Sequence, residues 1–223
     1  MFSNATLQRQ VKPEVVTVNT KAPEHAQSDV VPLTDMNSGQ LVRRAKIIEA
    51  VIDLIGDVGA DAVQMRDVAG RSGVALATVY RYFSSKEHLL AAALEDWQKR
   101  LTRRIMAGGA PAGESPLPGI LDYLQRAQRA FHRNPRMTAL MLQTMTSTDP
   151  EAKTAIDHMG RTNVELFNRL LEGVATEEIE RISFGINAAL TSALTAVLVG
   201  MMTLEESLSR VEWVARTLMI SVG

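Results

Sequence analysis

Apolar residues recur at helical spacing from residue 38 almost to the end of the chain. In the first stretch they form two adjacent rows, each stepping by three or four positions. The first row is Leu41, Ala45, Ile48, Ile52 and Ile55, and the second is Ile47, Val51, Leu54 and Val58. Two neighbouring rows predict a helix whose broad buried face lies under other helices. Gly59 follows as a typical helix stop.

Glycine and proline breaks divide the remaining pattern into eight further predicted helices, with no strand signal. Two short helices cover about 65–72 and 76–83. A longer one follows a capping box of Ser84 and Glu87 and runs to about residue 107. The last five cover about 117–133, 136–147, 150–173, 177–202 and 204–220. The sequence therefore predicts an all-α protein of about nine helices in three parts: an arm at 1–37, a three-helix unit at 38–84 and a bundle at 85–223.

The first 40 residues show no helical period and lack the apolar stretch of a secretory signal. Scattered polar residues and the prolines at positions 13, 23 and 32 predict a disordered arm over residues 1–37. Its three basic side chains could touch phosphates, although an inert tail is the simpler interpretation; they are Arg9, Lys12 and Lys21.

One uncharged run, Ile182 to Leu204, is long enough to span a bilayer. Several polar residues interrupt it, among them Ser183, Asn187 and Thr191, and both of its flanks are acidic. No Lys/Arg cluster is present to orient a membrane span. We therefore expect a helix buried on nearly all sides in a soluble protein, without membrane contact.

Charge is unevenly distributed along the 223 residues, although the net charge is only -1. Residues 41–104 carry 11 Lys/Arg against 8 Asp/Glu, whereas residues 105–223 carry 10 against 13. A mildly basic unit followed by an acidic one suits a nucleic-acid-binding head on a body that does not touch DNA. The chain has no cysteine, which excludes disulfides and thiolate sites and fits a reducing cytoplasm.

A helix-turn-helix is indicated between Val63 and Leu90. Val68 and Ala69 place small apolar side chains on the first helix, and Gly73 permits the left-handed backbone of the turn. Val74 and Val79 are spaced to anchor the second helix. The side chains then expected to face outward are Ala75, Leu76, Ala77, Thr78, Arg81 and Tyr82. Such a face, with few charges and two alanines, suits close approach to base edges and thymine methyl groups.

Two basic residues flank this face. Lys86 lies in the first turn of its helix, where the helix dipole disfavours a cation unless a phosphate is bound there. Arg66 begins the first of the two short helices and could reach a guanine or a phosphate. The unit at 38–84 is therefore predicted to bind double-stranded DNA.

The segment from about Arg43 to Leu94 resembles the DNA-binding domain of the TetR family of bacterial transcriptional repressors. The residues that carry the resemblance are Gly59, Arg66, Val68, Ala69, Gly73, Val74, Thr78, Tyr80, Tyr82, Phe83, Lys86, Leu89 and Leu90. It implies an all-α homodimer with a three-helix DNA-binding domain and a C-terminal ligand-binding and dimerisation bundle. By position, it implies DNA contacts at Arg66, Leu76, Ala77, Thr78, Tyr80, Tyr82 and Lys86. Ala75 and Ala77 depart from the serine and glycine frequent in the family, which bears on the choice of operator.

A closer likeness includes the run Arg133-Asn134-Pro135 with Thr138 and Met141. Within the family it is similar to actinobacterial repressors of steroid catabolism, and it implies a small apolar effector such as a steroid or fatty acyl coenzyme A thioester. Methionines at every fourth position alone favour ordinary core packing, whereas the resemblance favours a deformable pocket. The candidate ligand-binding residues are Trp97, Leu124, Phe131, Met137, Met141, Met145, Phe167, Phe184 and Asn187.

Two features of the last two helices bear on assembly. Asn187 is a lone amide in an apolar helix and needs a partner, which is a ligand carbonyl, a backbone group or an Asn across a dimer axis. Small residues recur where helices approach closely, and the resemblance implies that these helices form the dimer interface. The candidates are Ala189, Ala193, Ala196, Val197, Gly200, Val211, Ala215 and Leu218. A dimer also lets two recognition helices reach major grooves about 34 Å apart.

Catalytic chemistry is not indicated. The four histidines (His25, His88, His132 and His158) lack metal-ligand spacing, and no phosphate-binding loop or nucleophile elbow is present. We therefore expect no enzyme, no metal and no cofactor, but a cytoplasmic dimeric repressor that binds a palindromic operator and is released by an apolar effector. The alternatives are an apolar-ligand binding module with vestigial DNA binding, and an activator or global regulator of the same family.

Overall fold

The computed structural model describes residues 30–107 and 115–220, and these residues form nine α-helices. The all-α prediction is confirmed. The helices are α1 (Ser38–Val58), α2 (Met65–Ser72), α3 (Leu76–Tyr82), α4 (Lys86–Ala107), α5 (Leu117–Arg133), α6 (Pro135–Met145), α7 (Pro150–Leu170), α8 (Thr176–Leu198) and α9 (Leu204–Met219). The ends agree with the pattern of apolar residues to within a few positions.

Helices α1, α2 and α3 form the three-helix unit, and its core continues into α4. The buried side chains of α1 come from both predicted rows, including Ile47, Ile48, Val51 and Ile55. Leu41 and Val58, at the ends of the rows, are exposed. Both rows are needed because α1 packs against α2 on one side and α4 on the other.

The predicted disordered arm falls mostly outside the described residues. Residues 30–37 are described: Val31 and Met36 contact the folded unit, whereas residues 32–35 are exposed. The backbone N–H of Val31 donates to the carbonyl of Arg81, at 3.1 Å, and Met36 is buried in the core. Asn37 caps α1, because its side chain accepts from the backbone N–H of Gln40 while the Gln40 side chain accepts from that of Asn37.

Helix α4 has a different cap from the expected one. Ser85 Oγ accepts from the backbone N–H of His88, at 3.0 Å. Ser84 instead donates its backbone N–H to Nδ1 of His88, at 3.3 Å. The expected box of Ser84 and Glu87 is therefore wrong by one residue, because the helix begins at Lys86.

The bundle of α4 to α9 has one buried polar link among its apolar contacts. Gln128 Oε1 on α5 accepts from Ser207 Oγ on α9 at 2.7 Å, and its Nε2 donates to the carbonyl of Leu124. Both side chains are buried, and each has the partner that a buried polar group requires. This link fixes the register of α9 on α5.

Helix α8 is more exposed than its composition suggested. It has 23 residues, and its most apolar stretch of 18 residues has a mean hydropathy of 1.3, so it is long and apolar enough to cross a membrane. Only 33% of that stretch is buried. Ile182, Ile186 and Leu190 pack inward, whereas Phe184 is 77% exposed. The expectation of burial on nearly all sides is wrong, and an uncharged face of α8 lies on the surface of the monomer.

Candidate nucleic-acid interface and effector cavity

The α2–turn–α3 unit has the geometry of a helix-turn-helix. Gly73 ends α2 with a left-handed backbone (φ 67°, ψ 23°), which a residue with a Cβ rarely adopts. Val68 on α2 and Val79 on α3 are fully buried, and Ala69 and Val74 pack against the same core. The predicted anchoring residues are therefore confirmed.

The outward face of α3 carries Leu76, Ala77, Tyr80 and Arg81. Leu76 is 40% exposed and Tyr80 is 45% exposed, which is unusual for large apolar side chains. Thr78 is half-buried at the edge of this face, and Arg66 lies exposed at the start of α2. The face thus offers one aromatic ring, one aliphatic side chain, a small alanine and a guanidinium group to an approaching surface.

Tyr82 does not lie on that face. It is only 4% exposed and belongs to the core, so the expectation that it faces outward is wrong. The reason is helical spacing: Tyr82 follows the buried Val79 by three positions, whereas Tyr80 follows the exposed Leu76 by four. Phe83, the next residue, is also fully buried.

Two basic side chains brace the unit from α1 and α4. Lys86 Nζ donates to the backbone carbonyl of Asp61, at 2.6 Å, in the loop between α1 and α2. The guanidinium of Arg44 lies 5.1 Å from the centre of the Phe83 ring, a cation–π distance. Burial lowers the pKa of Arg44, and the nearby carboxylates of Glu95 and Asp96 oppose that change.

A cavity of about 590 Å³ lies among α4, α5, α6, α7 and α8. Its volume falls within the range of about 300–1,000 Å³ typical of small-molecule sites. Five of the predicted ligand-binding residues line it, and they are Phe131, Met141, Met145, Phe184 and Asn187. Most of the other lining side chains are aliphatic or uncharged polar.

The remaining four candidates do not line the cavity, and the prediction is wrong for them. They are buried in the core, and they are Trp97, Leu124, Met137 and Phe167. Trp97 packs edge-on against Phe131, with ring centres 5.4 Å apart, and Phe167 packs in the same way against Tyr123 at 6.5 Å. These buried rings support the rings that line the cavity.

The partner of Asn187 is Asn163 of the same chain, on α7. Asn163 Nδ2 donates to Asn187 Oδ1 at 3.1 Å, and Asn187 Nδ2 donates to Asn163 Oδ1 at 3.3 Å. Both residues line the cavity, as does Tyr123. No feature of the sequence singled out Asn163 or Tyr123, because both lie in helices of mixed polarity where a polar residue needs no special explanation.

Two family models match separate stretches of the chain. The family described as "Bacterial regulatory proteins, tetR family" matches residues 47–93, and "Tetracyclin repressor-like, C-terminal domain" matches residues 113–218. The HTH-type transcriptional repressor KstR of Mycolicibacterium smegmatis is 34% identical over 161 residues, covering 72% of this chain and 78% of the relative. The chain belongs to the TetR family. It is a TetR-like transcriptional repressor, in a family of non-enzymatic regulators.

Other relatives of this TetR-family protein are similar over different lengths. KstR of Mycobacterium tuberculosis is 33% identical over 179 residues, 78% of this chain and 81% of the relative. KstR of Rhodococcus jostii is 37% identical over 135 residues, 60% of this chain and 62% of the relative. A crystal structure of a TetR transcriptional regulator from Rhodococcus sp. RHA1 is 27% identical with a TM-score of 0.67, over 84% of this chain and 100% of that one.

The predicted interface residues of this TetR-family chain separate into two groups. Ala193, Val211 and Ala215 are buried within the monomer, so they are not available to a partner and the prediction is wrong for them. The other candidates are at least partly exposed, namely Ala189, Ala196, Val197, Gly200 and Leu218. Gly200 lies in the turn after α8, with φ 74°, rather than in the helix. The inner faces of α8 and α9 pack against each other, which the pattern of small residues alone did not distinguish from contact with a second chain.

Proposed function

We propose that this TetR-family protein binds a palindromic operator as a homodimer in the cytoplasm and dissociates from it when an apolar effector binds. The proposed effector class is a steroid or fatty acyl coenzyme A thioester, and the proposed targets are genes of lipid or steroid catabolism. The double-stranded operator and the second copy of the chain are the partners that this function requires.

One observation carries the proposal: the helices that line the cavity also contact the DNA-binding unit. Gln98 and Thr102 on α4 line the cavity, and the same helix packs against α1, with Leu89 near its start fully buried in the core. On α6, Met141 lines the cavity, while Arg136 donates a hydrogen bond to the carbonyl of Gly56 at the end of α1. An effector that moves either helix therefore changes the position of the reading head.

The DNA contacts that we propose lie on or beside the outward face of α3. Tyr80, Leu76 and Ala77 are exposed together there, and Arg66 is exposed at the start of α2. Thr78 on α3 and Lys86 at the start of α4 are half-buried. Since Tyr82 is almost fully buried, we propose that only its hydroxyl can reach a phosphate.

The dimer interface that we propose is the exposed uncharged face of α8 together with the exposed side of α9. Phe184, Ala188, Ser192 and Thr195 are spaced by three or four positions on α8, and all are exposed. Trp213 on α9 is 68% exposed. An exposed aromatic beside a face of small residues is typical of an interface, because Trp is enriched and Lys and Glu are depleted there.

The composition of the cavity supports an apolar effector. Its wall includes Leu101, Phe131, Met141 and Ile156, and methionine can reshape such a wall around different ligands. The fold also accommodates this class of ligand in another protein. FadR from Bacillus subtilis, crystallised with stearoyl-CoA, has a TM-score of 0.60 over 78% of this chain and 96% of its own, at 15% identity.

The test is fluorescence anisotropy with promoter DNA from in front of the protein's own gene, against scrambled DNA of equal length. We expect Arg66→Ala and Tyr80→Ala to weaken operator binding by about tenfold or more, since each good base contact contributes about 1–3 kcal/mol. Arg129→Ala, an exposed arginine on α5, is the matched control and leaves binding unchanged. Oleoyl coenzyme A, or a coenzyme A thioester of a steroid side chain, is expected to release the operator.

Each part of the proposal has its own contrary result. Equal affinity for promoter and scrambled DNA, together with effector binding, would favour a ligand-binding module with vestigial DNA binding. If neither thioester weakens operator binding, the proposed effector class is wrong, and the proposed operator binding is unaffected. A reporter gene that is transcribed less in a deletion strain would instead indicate an activator.

A further inference from the structure

The amide pair in the cavity has unused hydrogen-bonding capacity. In the reciprocal pair, Asn163 and Asn187 each use one N–H and one lone pair of the carbonyl oxygen. An amide has two N–H donors and two lone pairs, so each side chain keeps one donor and one acceptor site. The pairing itself holds both amides in a fixed orientation at the cavity wall.

Tyr123 on α5 lines the same cavity and adds a hydroxyl to its wall. Its ring contacts Phe167, which follows Asn163 by four positions and therefore lies one helical turn along the same face. The hydroxyl makes no hydrogen bond to any residue within 30–107 or 115–220. Burial raises the pKa of Tyr123 to about 12, so the group is a neutral phenol that can donate as well as accept.

The charges at the cavity wall do not favour an anion. Its charged lining residues are Glu95, Lys99 and Glu180. Lys99 Nζ bonds Glu95 Oε1 at 2.5 Å, and Nδ1 of His158 lies 3.5 Å from the same oxygen. The ammonium group is thus already neutralised, and a carboxylate entering the cavity would lose its hydration without gaining a free cation.

We propose that the cavity recognises its ligand through one uncharged carbonyl or hydroxyl group, bound by the Asn163–Asn187 pair and the Tyr123 hydroxyl, and that it rejects the free carboxylic acid of the same skeleton. The inference rests on the effector cavity of the proposed function and narrows its ligand class. A thioester, a ketone or an alcohol satisfies these three groups, whereas an alkane leaves them unpaired and a fatty acid introduces an unpaired charge.

The experiment measures binding of four probes by isothermal titration calorimetry on the full-length protein without DNA. The probes are decyl methyl ketone, its secondary alcohol, dodecane and dodecanoic acid, which share one apolar body. We expect the ketone and the alcohol to bind about tenfold more tightly than the alkane or the acid at pH 7.5; a tenfold difference is about 1.4 kcal/mol, which is within the range of a net hydrogen bond.

Two variants locate the preference. Tyr123→Phe removes one hydroxyl, and the double change Asn163→Leu with Asn187→Leu removes both amides without leaving either unpaired. Both are expected to abolish the ketone preference while dodecane binds as well as, or better than, it does to the unchanged protein. Asn168→Leu, at an exposed position on the same helix outside the cavity, is the matched control and retains the preference.

Contrary outcomes separate this inference from the proposed function. Equal binding of ketone and alkane, or tighter binding of the acid, overturns the inference even where the thioesters still release the operator. If both variants still prefer the ketone to the alkane, other residues recognise the ligand, and the inference is also overturned. If no probe binds while operator binding remains intact, the neutral-group inference fails and the DNA-binding function stands.

Discussion

The side-chain amide of Gln143 donates a hydrogen bond to the carboxylate of Asp61, with 3.3 Å between Nε2 and Oδ1. Gln143 lies on α6, between the cavity residues Met141 and Met145, and Asp61 lies in the loop before α2. The carbonyl of Asp61 also accepts from Lys86. The loop that leads into α2 is therefore bonded to a helix that lines the cavity.

The second contact of α6 with the DNA-binding unit predicts a loss of stability. Arg136→Ala removes the hydrogen bond to the carbonyl of Gly56 in the last turn of α1. We expect the free energy of unfolding to fall by about 1 kcal/mol, measured by urea denaturation. Arg161→Ala, an exposed arginine on α7, is the control and changes it by less than about 0.5 kcal/mol. Equal effects of the two changes would contradict this contact.

The opposite placements of Tyr80 and Tyr82 predict opposite effects. Tyr82→Ala empties part of the core and is expected to cost about 2–5 kcal/mol of unfolding free energy, whereas Tyr80→Ala is expected to cost little. Operator binding by the folded protein is expected to weaken in Tyr80→Ala. Tyr82→Phe retains the buried ring and removes only the hydroxyl, so its operator affinity, measured by fluorescence anisotropy, tests the proposed phosphate contact. A stable Tyr82→Ala protein would refute its assignment to the core.

The hydrogen bond of Lys86 to Asp61 makes the salt dependence of Lys86→Ala informative. A lysine that contacts phosphate contributes to counterion release, so its removal lowers the slope of log affinity against log salt by about 1. A lysine that only braces the loop lowers affinity at every salt concentration and leaves the slope unchanged. We expect Lys86→Ala to show a slope smaller in magnitude than that of the unchanged protein, measured by anisotropy between about 50 and 200 mM salt.

The close approach of α8 and α9 predicts a difference between two glycines. A Cβ on Gly185 would lie 2.7 Å from Leu218 Cδ1, whereas one on Gly160 would meet no atom within 4 Å. Gly160→Ala is expected to stabilise the protein by about 0.5–1 kcal/mol through helix propensity. Gly185→Ala is expected to gain less or to destabilise, because Leu218 must shift. Chemical denaturation in a Leu218→Ala background should then give both glycine changes a similar gain; a persisting difference argues against this packing.

The capping box of α9 predicts an acid-sensitive contribution to stability. The backbone and the side chain of Thr203 hold the pKa of Glu206 below its ordinary value of 4.5. The folded chain therefore binds fewer protons there than the unfolded chain, so the contribution is present above pH 4.5 and is lost as the pH falls through the lowered pKa. Glu206→Gln is expected to lower the melting temperature at pH 7, by an amount that shrinks on acidification. Glu205→Gln is the control, and an effect of Glu206→Gln that did not change with pH would disprove the assignment.

In the N-terminal part of the molecule, sequence-based prediction succeeded where the information is local and failed where it is not. The residues from Val63 to Leu90 carried enough local information to place the helices, the Gly73 turn and the buried Val68 and Val79. The cap of α4 was misplaced by one residue, because Ser84 and Ser85 are equally suited to the role and only the path of the chain selects between them. The contact of Val31 with the folded unit was missed, since its hydrogen bond goes to Arg81, far along the chain.

The sequence by itself determined the family and the nine helices of residues 30–107 and 115–220, with the breaks between them. Helical period, glycine and proline positions and the Thr-Val-Tyr-Arg-Tyr-Phe run are all patterns of a few neighbouring residues. The tertiary structure decided which side of each helix faces the core, the cavity or the surface. Tyr82 is buried, Trp97 lies behind Phe131, and Asn187 pairs with Asn163 across two helices. Each of these outcomes depends on how helices cross, and an amphipathic pattern specifies an apolar face without specifying the neighbour against which it packs.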